Sequence, residues 1–283
     1  MAKVNSHRNP GETSTVVSFR GSGRPRAFTI IELLVVLTIM ALLAAVLAPA
    51  VQRAGRHAKA IACQSQLGQW GLGFSALLGE GDASVHYIDS DAWQALWRPY
   101  CDGGKGSFLC PMATRYELNQ NDPDWTAQVA MDCDRGSKFT AWKLATRTPS
   151  TLEPGPLFGS YGVNSLGLVY ADDRTIRGHQ TDRSTRPVFL DCAFYGMQVQ
   201  SSDRPPSFDG ELVVLADIKY CCIDRHGGGI NGLFADWSVR RVGLKELWTL
   251  SWSPWFDPHG PWTRAGGVGP EDWPAWMRGF KDY

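Results

Sequence analysis

An excess of charge of either sign is missing from this sequence, which holds 28 Lys and Arg against 28 Asp and Glu and shows no dense basic run after Lys59. A nucleic-acid-binding domain needs a clustered basic face, so no nucleic-acid partner is expected. Also absent are His-x-x-x-His and Cys-x-x-Cys pairs, the close spacings by which one helix or turn offers two metal ligands. No composition break marks a linker within roughly the last 200 residues, a length that one core can serve. Between Phe28 and Ala48 charge is missing altogether except at Glu32. A secretory signal has a shorter apolar region followed by a small-residue cleavage site. As a helix rising 1.5 Å per residue, this run is roughly 30 Å long and can cross a bilayer.

Lys3, Arg8, Arg20, Arg24 and Arg26 precede the run against one acid, Glu12. That bias keeps the N-terminus cytoplasmic and sends the C-terminal body across the membrane. A carboxylate inside such a run costs about 2 to 3 kcal/mol near the bilayer centre and less near the interface. Glu32 therefore calls for a partner, or for a snorkelling route to the interface.

The stretch Arg24-Pro-Arg-Ala-Phe-Thr-Ile-Ile-Glu32 and the apolar Leu33 to Leu47 resemble the N-terminus of the type IV pilin and type II secretion pseudopilin superfamily. That family has a basic leader, a small residue before the cut, an aromatic after it, and glutamate fifth in the mature chain. The matching residues are Ala27, Phe28 and Glu32, with Ala27 where Gly is usual, and Pro49 falls twenty-second after the cut, where pilins commonly carry a helix-bending proline. The resemblance implies cleavage between Ala27 and Phe28 by a prepilin peptidase, N-methylation of Phe28, and assembly with like subunits. In a filament, Glu32 of one subunit would meet the amino group of Phe28 on its neighbour, a pairing strengthened by the apolar surroundings. Removing a leader with five basic residues and one acid from 28 of each leaves 23 basic and 27 acidic residues, a net charge of −4.

Past the apolar run, Val51 to Leu78 reads as a continuing helix with a face of Ala54, Ala58, Ile61, Leu67, Trp70, Phe74 and Leu77. Gly55, Gly68, Gly71 and Gly73 each weaken it by up to about 1 kcal/mol, so packing must hold its C-terminal part. The remainder is rich in Gly, Pro and Trp with short strand-like runs at Tyr161 to Tyr170, Pro187 to Leu190, Leu212 to Ile218 and Leu233 to Val242. The expected fold is α+β, a long N-terminal helix on a small antiparallel sheet. The expected organisation is a leader over 1–27, a transmembrane helix over 28–49, its amphipathic continuation over 50–80, and a globular head over 81–283. Asn119 to Asp124 and Gln198 to Gly210 read as surface loops.

A second element, Arg225-His-Gly-Gly-Gly-Ile-Asn-Gly-Leu-Phe-Ala-Asp-Trp237, resembles the motif of His, nine residues and Asp-Gly near the C-terminus of a group of pilin-like proteins. His226 and Asp236 match in identity and spacing, while Trp237 replaces Gly, a substitution that disfavours the usual Asp-Gly hairpin turn. Phe108-Leu-Cys-Pro111 and Ser160-Tyr-Gly-Val-Asn-Ser165 look like further segments of that group, and Lys245 to Trp252 looks like its close. Structural hydrogen bonding is the expected role of His226 and Asp236, with a metal or active site and a surface contact as the alternatives. No cofactor is expected from the residues. Related pseudopilins bind calcium in the head, which makes Asp122, Asp124, Asp132 and Asp134 candidate ligands, although their spacing is not that of an EF-hand.

Seven cysteines in a chain whose head meets an oxidising periplasm suggest one or two disulfides. Cys63 is expected packed or free on the helix, Cys101 with Cys110 would close a short loop, and the neighbours Cys221 and Cys222 should not bridge each other. Six of twelve tryptophans lie between Trp248 and Trp276 among prolines, a tail that wraps the head or presents a contact surface. The resulting expectation is a non-enzymatic, single-pass inner-membrane subunit with a cytoplasmic N-terminus and a periplasmic head, most like a type II secretion pseudopilin. Its expected partners are the prepilin peptidase, like subunits and the secretion or pilus machinery. A surface type IV pilus subunit, and a signal-anchored periplasmic enzyme or metal protein using His226 and Asp236, stay open.

Overall fold

The computed structural model describes residues 28–78, 109–116, 133–144, 157–166, 182–211 and 218–283. The chain divides into two compact units, Met1–Ala50 and Val51–Tyr283. A helix, α1 (Ile30–Leu78), contributes a stretch to each.

In the first unit α1 opens with a reciprocal cap. The Glu32 amide donates to Thr29 Oγ1 at 3.2 Å while the Thr29 amide donates to Glu32 Oε2 at 2.9 Å. This capping box satisfies two of the amides a helix start leaves unpaired. From Phe28 to Leu47 the large apolar side chains are exposed. The helix is long and apolar enough to cross a membrane. Pro49 lies inside it, where the missing N–H removes one backbone bond.

The second unit is built around a five-stranded sheet of β5 (Tyr161–Asn164), β6 (Pro187–Asp191), β7 (Gly196–Met197), β8 (Gly229–Phe234) and β9 (Val239–Gly243). Their order is β7-β5-β6-β8-β9, antiparallel except where β5 runs parallel to β7. A smaller sheet joins β1 (Arg115–Tyr116), β2 (Cys133–Asp134), β3 (Thr140–Leu144) and β4 (Leu157–Gly159), with β1 parallel to β3. The fold is α+β as expected, but with two sheets of mixed pairing in place of one antiparallel sheet. Leu233 to Val242, read as one strand, is the end of β8, a turn and β9. Of the strand expected over Leu212 to Ile218, only Ile218 is among the described residues, and it opens a 3₁₀ turn, Ile218–Tyr220.

Every residue of β6 and of β8 is buried, so both sheet faces are covered. On one face Cys63, Leu67, Trp70 and Phe74 of α1 meet Tyr161, Val163, Phe189 and Leu233. The helical face thus begins at Cys63; Ala54 and Ala58 are exposed, and Ile61 is 61% exposed. Gly71 allows the close approach, since a Cβ there would lie 2.9 Å from Leu233 Cδ1. On the other face Leu190, Ile230, Phe234 and Val242 meet Trp248, Trp252, Trp273 and Met277 of the C-terminal segment. Alternation along β8 sends Ile230 and Phe234 one way and Asn231 and Leu233 the other.

The wrapping role of the tail is therefore what the structure shows, with Trp255 as an outward exception at 70% exposure. The indoles of Trp248, Trp252 and Trp276 donate to the carbonyls of Asp203, Leu247 and Pro206, which satisfies the polar end of each ring while its body is buried.

Candidate functional site

His226 is positioned by its own loop. Gly227 and Gly228 adopt φ of +71° and +86°, in the left-handed region open to glycine at little cost. The His226 amide donates to the Gly229 carbonyl at 2.9 Å, and the Gly228 amide to the Asp224 carboxylate, so a tight turn feeds β8 and turns the imidazole inward.

There it meets residues from three distant parts of the chain. His226 Nε2 lies 3.0 Å from Asp191 Oδ2 at the end of β6 and 3.4 Å from Cys110 Sγ. Cys63 Sγ, on α1, lies 3.5 Å from the same Asp191 oxygen, and the Tyr161 hydroxyl is 3.3 Å from Cys63 Sγ. Cys63, Cys110, Asp191 and His226 each offer one ligand atom, all four within 4.8 Å of one another. Three of the segments that resembled the pilin-like group bring a residue here: Cys110 of Phe108 to Pro111, Tyr161 of Ser160 to Ser165, and His226. Cys110, offered as a partner for Cys101, is a free thiol in this cluster; so is Cys63. Cys101 lies outside the described residues. Cys221 and Cys222 are buried.

Arg225 closes the site from behind. Its fully buried guanidinium donates to Asp191 Oδ1 at 3.0 Å and to the carbonyls of Lys138, Ser160, Ser137 and Cys192, using the donors of its fork. The Asn231 amide donates to Asp191 Oδ2 at 2.9 Å. Burial opposes the charge on Asp191, but the His226 hydrogen bond and the Arg225 charge outweigh it and hold the carboxyl at about 2. Burial likewise opposes protonation of His226, yet its bonds to Asp191 and Cys110 raise it to about 9. Burial pushes the Cys63 thiol up. The same burial acts on Cys110, where hydrogen bonds from Cys63 and His226 and the charge of Arg225 win and bring it down to about 7. Among the described residues His226 Nδ1 is buried without a hydrogen-bond partner, so the hydrogen bonds described leave this residue half satisfied. A cavity of about 580 Å³, lined by His226, Gln64, Asn231, Arg53, His57 and Lys138 among others, reaches the cluster from solvent.

Asp236 is not part of this site. It is exposed in the turn after β8, beyond the far end of the six-residue strand that begins near His226, and its Oδ1 accepts from the Ser238 amide and hydroxyl at 3.0 and 2.6 Å. Trp237 takes φ +64° in that turn, the left-handed conformation that glycine would adopt more cheaply, and stacks on Phe74 at 6.3 Å. His226 and Asp236 thus do separate work, one in the core and one in a turn. Asp191 and Arg225 were not anticipated as site residues, and Cys63 and Cys110 were not seen as ligands. They are far apart in sequence, 128 residues from Cys63 to Asp191 and 116 from Cys110 to His226, and no local spacing joins them.

At the other candidate site, Phe28 is exposed and Glu32 is held by Thr29. Ala27 lies outside the described residues, as do Asp122, Asp124 and Asp132; Asp134 is described only as backbone in β2. A family described as the prokaryotic N-terminal methylation motif matches residues 23–48. No curated protein and no solved structure matches the chain. The motif together with the long apolar helix gives the chain a type IV pilin-like N-terminus.

Proposed function

We propose that this chain is a non-enzymatic, membrane-anchored pilin-like subunit, cut between Ala27 and Phe28 by a prepilin peptidase and methylated at the new amine. The observation that carries the reading is the coincidence of the methylation motif at residues 23–48 with a helix whose apolar side chains are exposed from Phe28 to Leu47. A bilayer, or the helices of like subunits, would cover that surface. The basic leader directs the N-terminus to the cytoplasm and the head across the inner membrane. Assembly would run through α1, with Glu32 exchanging its bonds to Thr29 for the Phe28 ammonium of a neighbour, a partner of opposite charge in apolar surroundings. The finer assignment is a type II secretion pseudopilin, whose work is mechanical and whose energy comes from elsewhere in the secretion machinery.

Mass spectrometry of the N-terminal peptide from membrane-extracted protein, in cells with and without the prepilin peptidase, tests this reading. A chain starting at N-methylated Phe28 only when the peptidase is present is the expected result. An intact leader in both strains would leave an anchored protein outside the pilin pathway.

A further inference from the structure

We propose that Cys63, Cys110, Asp191 and His226 form a structural zinc site that fastens α1 to the sheet of the head. The proposal is independent of how the N-terminus is processed.

The donor set argues for zinc. Two thiolates, one imidazole and one carboxylate form the mixed sulfur, nitrogen and oxygen environment that suits this ion, whereas calcium takes six to eight oxygens. Zinc bonds of about 2.3 Å to sulfur and about 2.0 to 2.1 Å to nitrogen or oxygen place tetrahedral ligands roughly 3.3 to 3.8 Å apart. The separations of 3.5 Å from Cys63 to Asp191, 3.4 Å from Cys110 to His226 and 3.0 Å from His226 to Asp191 lie near that range. The Cys63–Asp191 and Cys110–His226 edges match it, the His226–Asp191 edge opens by a small side-chain rotation, and the other three edges lie within 4.8 Å.

The charges also balance. Two thiolates and the Asp191 carboxylate carry three negative charges, and a divalent cation with the buried Arg225 guanidinium carries three positive ones. A buried site needs that neutrality. Arg225 occupies Asp191 Oδ1 and leaves Oδ2 facing the other ligands. The Tyr161 hydroxyl reaches Cys63 Sγ from the outer shell. Among the described residues the His226 ring has no outer partner at Nδ1, and Arg225 and Tyr161 supply the outer shell. Four protein ligands fill a tetrahedron and leave no position for substrate, which makes the site structural. The cavity beside His226 gives the ion its way in.

The test is elemental analysis of the full chain, extracted from membranes in detergent without added metal, followed by exchange with cobalt. Zinc at one ion per chain, and a cobalt form with thiolate charge-transfer and intense tetrahedral ligand-field bands, are the expected results. Cys63→Ser and Cys110→Ser should each lose the ion. Tyr161→Phe should keep it with an affinity lowered roughly 10- to 100-fold. Should the serine variants fail to fold, alkylation of the unaltered protein decides: Cys63 and Cys110 should be protected until a chelator is added. A Cys63–Cys110 disulfide in the peptide map, a cobalt spectrum without thiolate bands, or both thiols freely alkylated in the zinc-loaded protein would each overturn the proposal.

Discussion

Asp191 neutralises a guanidinium that no solvent reaches, since both side chains of the Asp191–Arg225 pair are fully buried. Asp191→Asn keeps the shape and removes the charge, leaving Arg225 uncompensated. Breaking such a pair costs about 3 to 5 kcal/mol, and denaturant unfolding of the solubilised protein should show a loss of that size. A loss under about 1 kcal/mol, the range of exposed pairs, would mean that Arg225 finds water. The same residues set a pH window in protein kept metal-free. His226 titrates at about 9 in the fold against 6.5 when free, so its contribution is complete below 6.5 and is lost as pH rises through 9. Asp191 is held at about 2 against 3.8, so its contribution is complete above 3.8 and is lost as pH falls through 2. Cys110 opposes His226 over this range, since its thiol is held at about 7 against 9 when free, a contribution complete above 9 and lost as pH falls through 7. Unfolding midpoints should therefore be highest between 3.8 and 6.5, fall as pH drops through 2, and decline only slightly between 6.5 and 9. A steep fall between 6.5 and 9 would mean that Cys110 stays protonated in the fold. In the sequence His226 was legible through its spacing to Asp236, but its partners were not. Asp191 reads as the polar end of an apolar strand, and only the β6–β8 pairing brings it beside the histidine loop.

Two glycines of α1 make opposite predictions although they lie three residues apart. A Cβ on Gly68 would meet nothing within 4 Å, so Gly68→Ala should gain about 0.5 to 1 kcal/mol from helix propensity alone. A Cβ on Gly71 would press on Leu233, which is fully buried, and come within 3.4 Å of the Trp237 carbonyl oxygen. Gly71→Ala should therefore lose about 1 to 3 kcal/mol by overpacking, partly offset by the same propensity gain. Thermal unfolding of the two variants side by side checks this, and equal shifts would mean that the helix does not sit so close to the hairpin. The apolar run, the helix and its C-terminal face from Leu67 were readable because helical periodicity is local. The start of that face was misplaced, since Ala54, Ala58 and Ile61 continue the period but have no sheet beneath them. The β8–β9 hairpin was read as one strand because Trp237 hides a turn that glycine would have announced.

Across the second unit as a whole, stability depends on the last few residues. Lys245 is buried to within 1% of full enclosure, and its ammonium rests 2.6 Å from Asp282 Oδ1 and 5.1 Å from the centroid of the Trp273 ring. Truncation after Gly269 would strip Trp273 and Met277 from the core and leave that ammonium without either partner. Such a chain should be digested rapidly in limited proteolysis under conditions where the full chain resists; equal resistance would make the tail dispensable. The crowd of tryptophans and prolines made a wrapping tail legible, but its pairing with Lys245 was not, because a lysine in a sequence reads as exposed. Dependence on the tail also sets an order in time. A chain is made from its N-terminus, at roughly 5 to 20 residues per second, and here the partner of Lys245 lies 37 residues further along. The core of the second unit cannot close until Asp282 has been made, and until then the unit is a thread that can still be passed through a narrow channel.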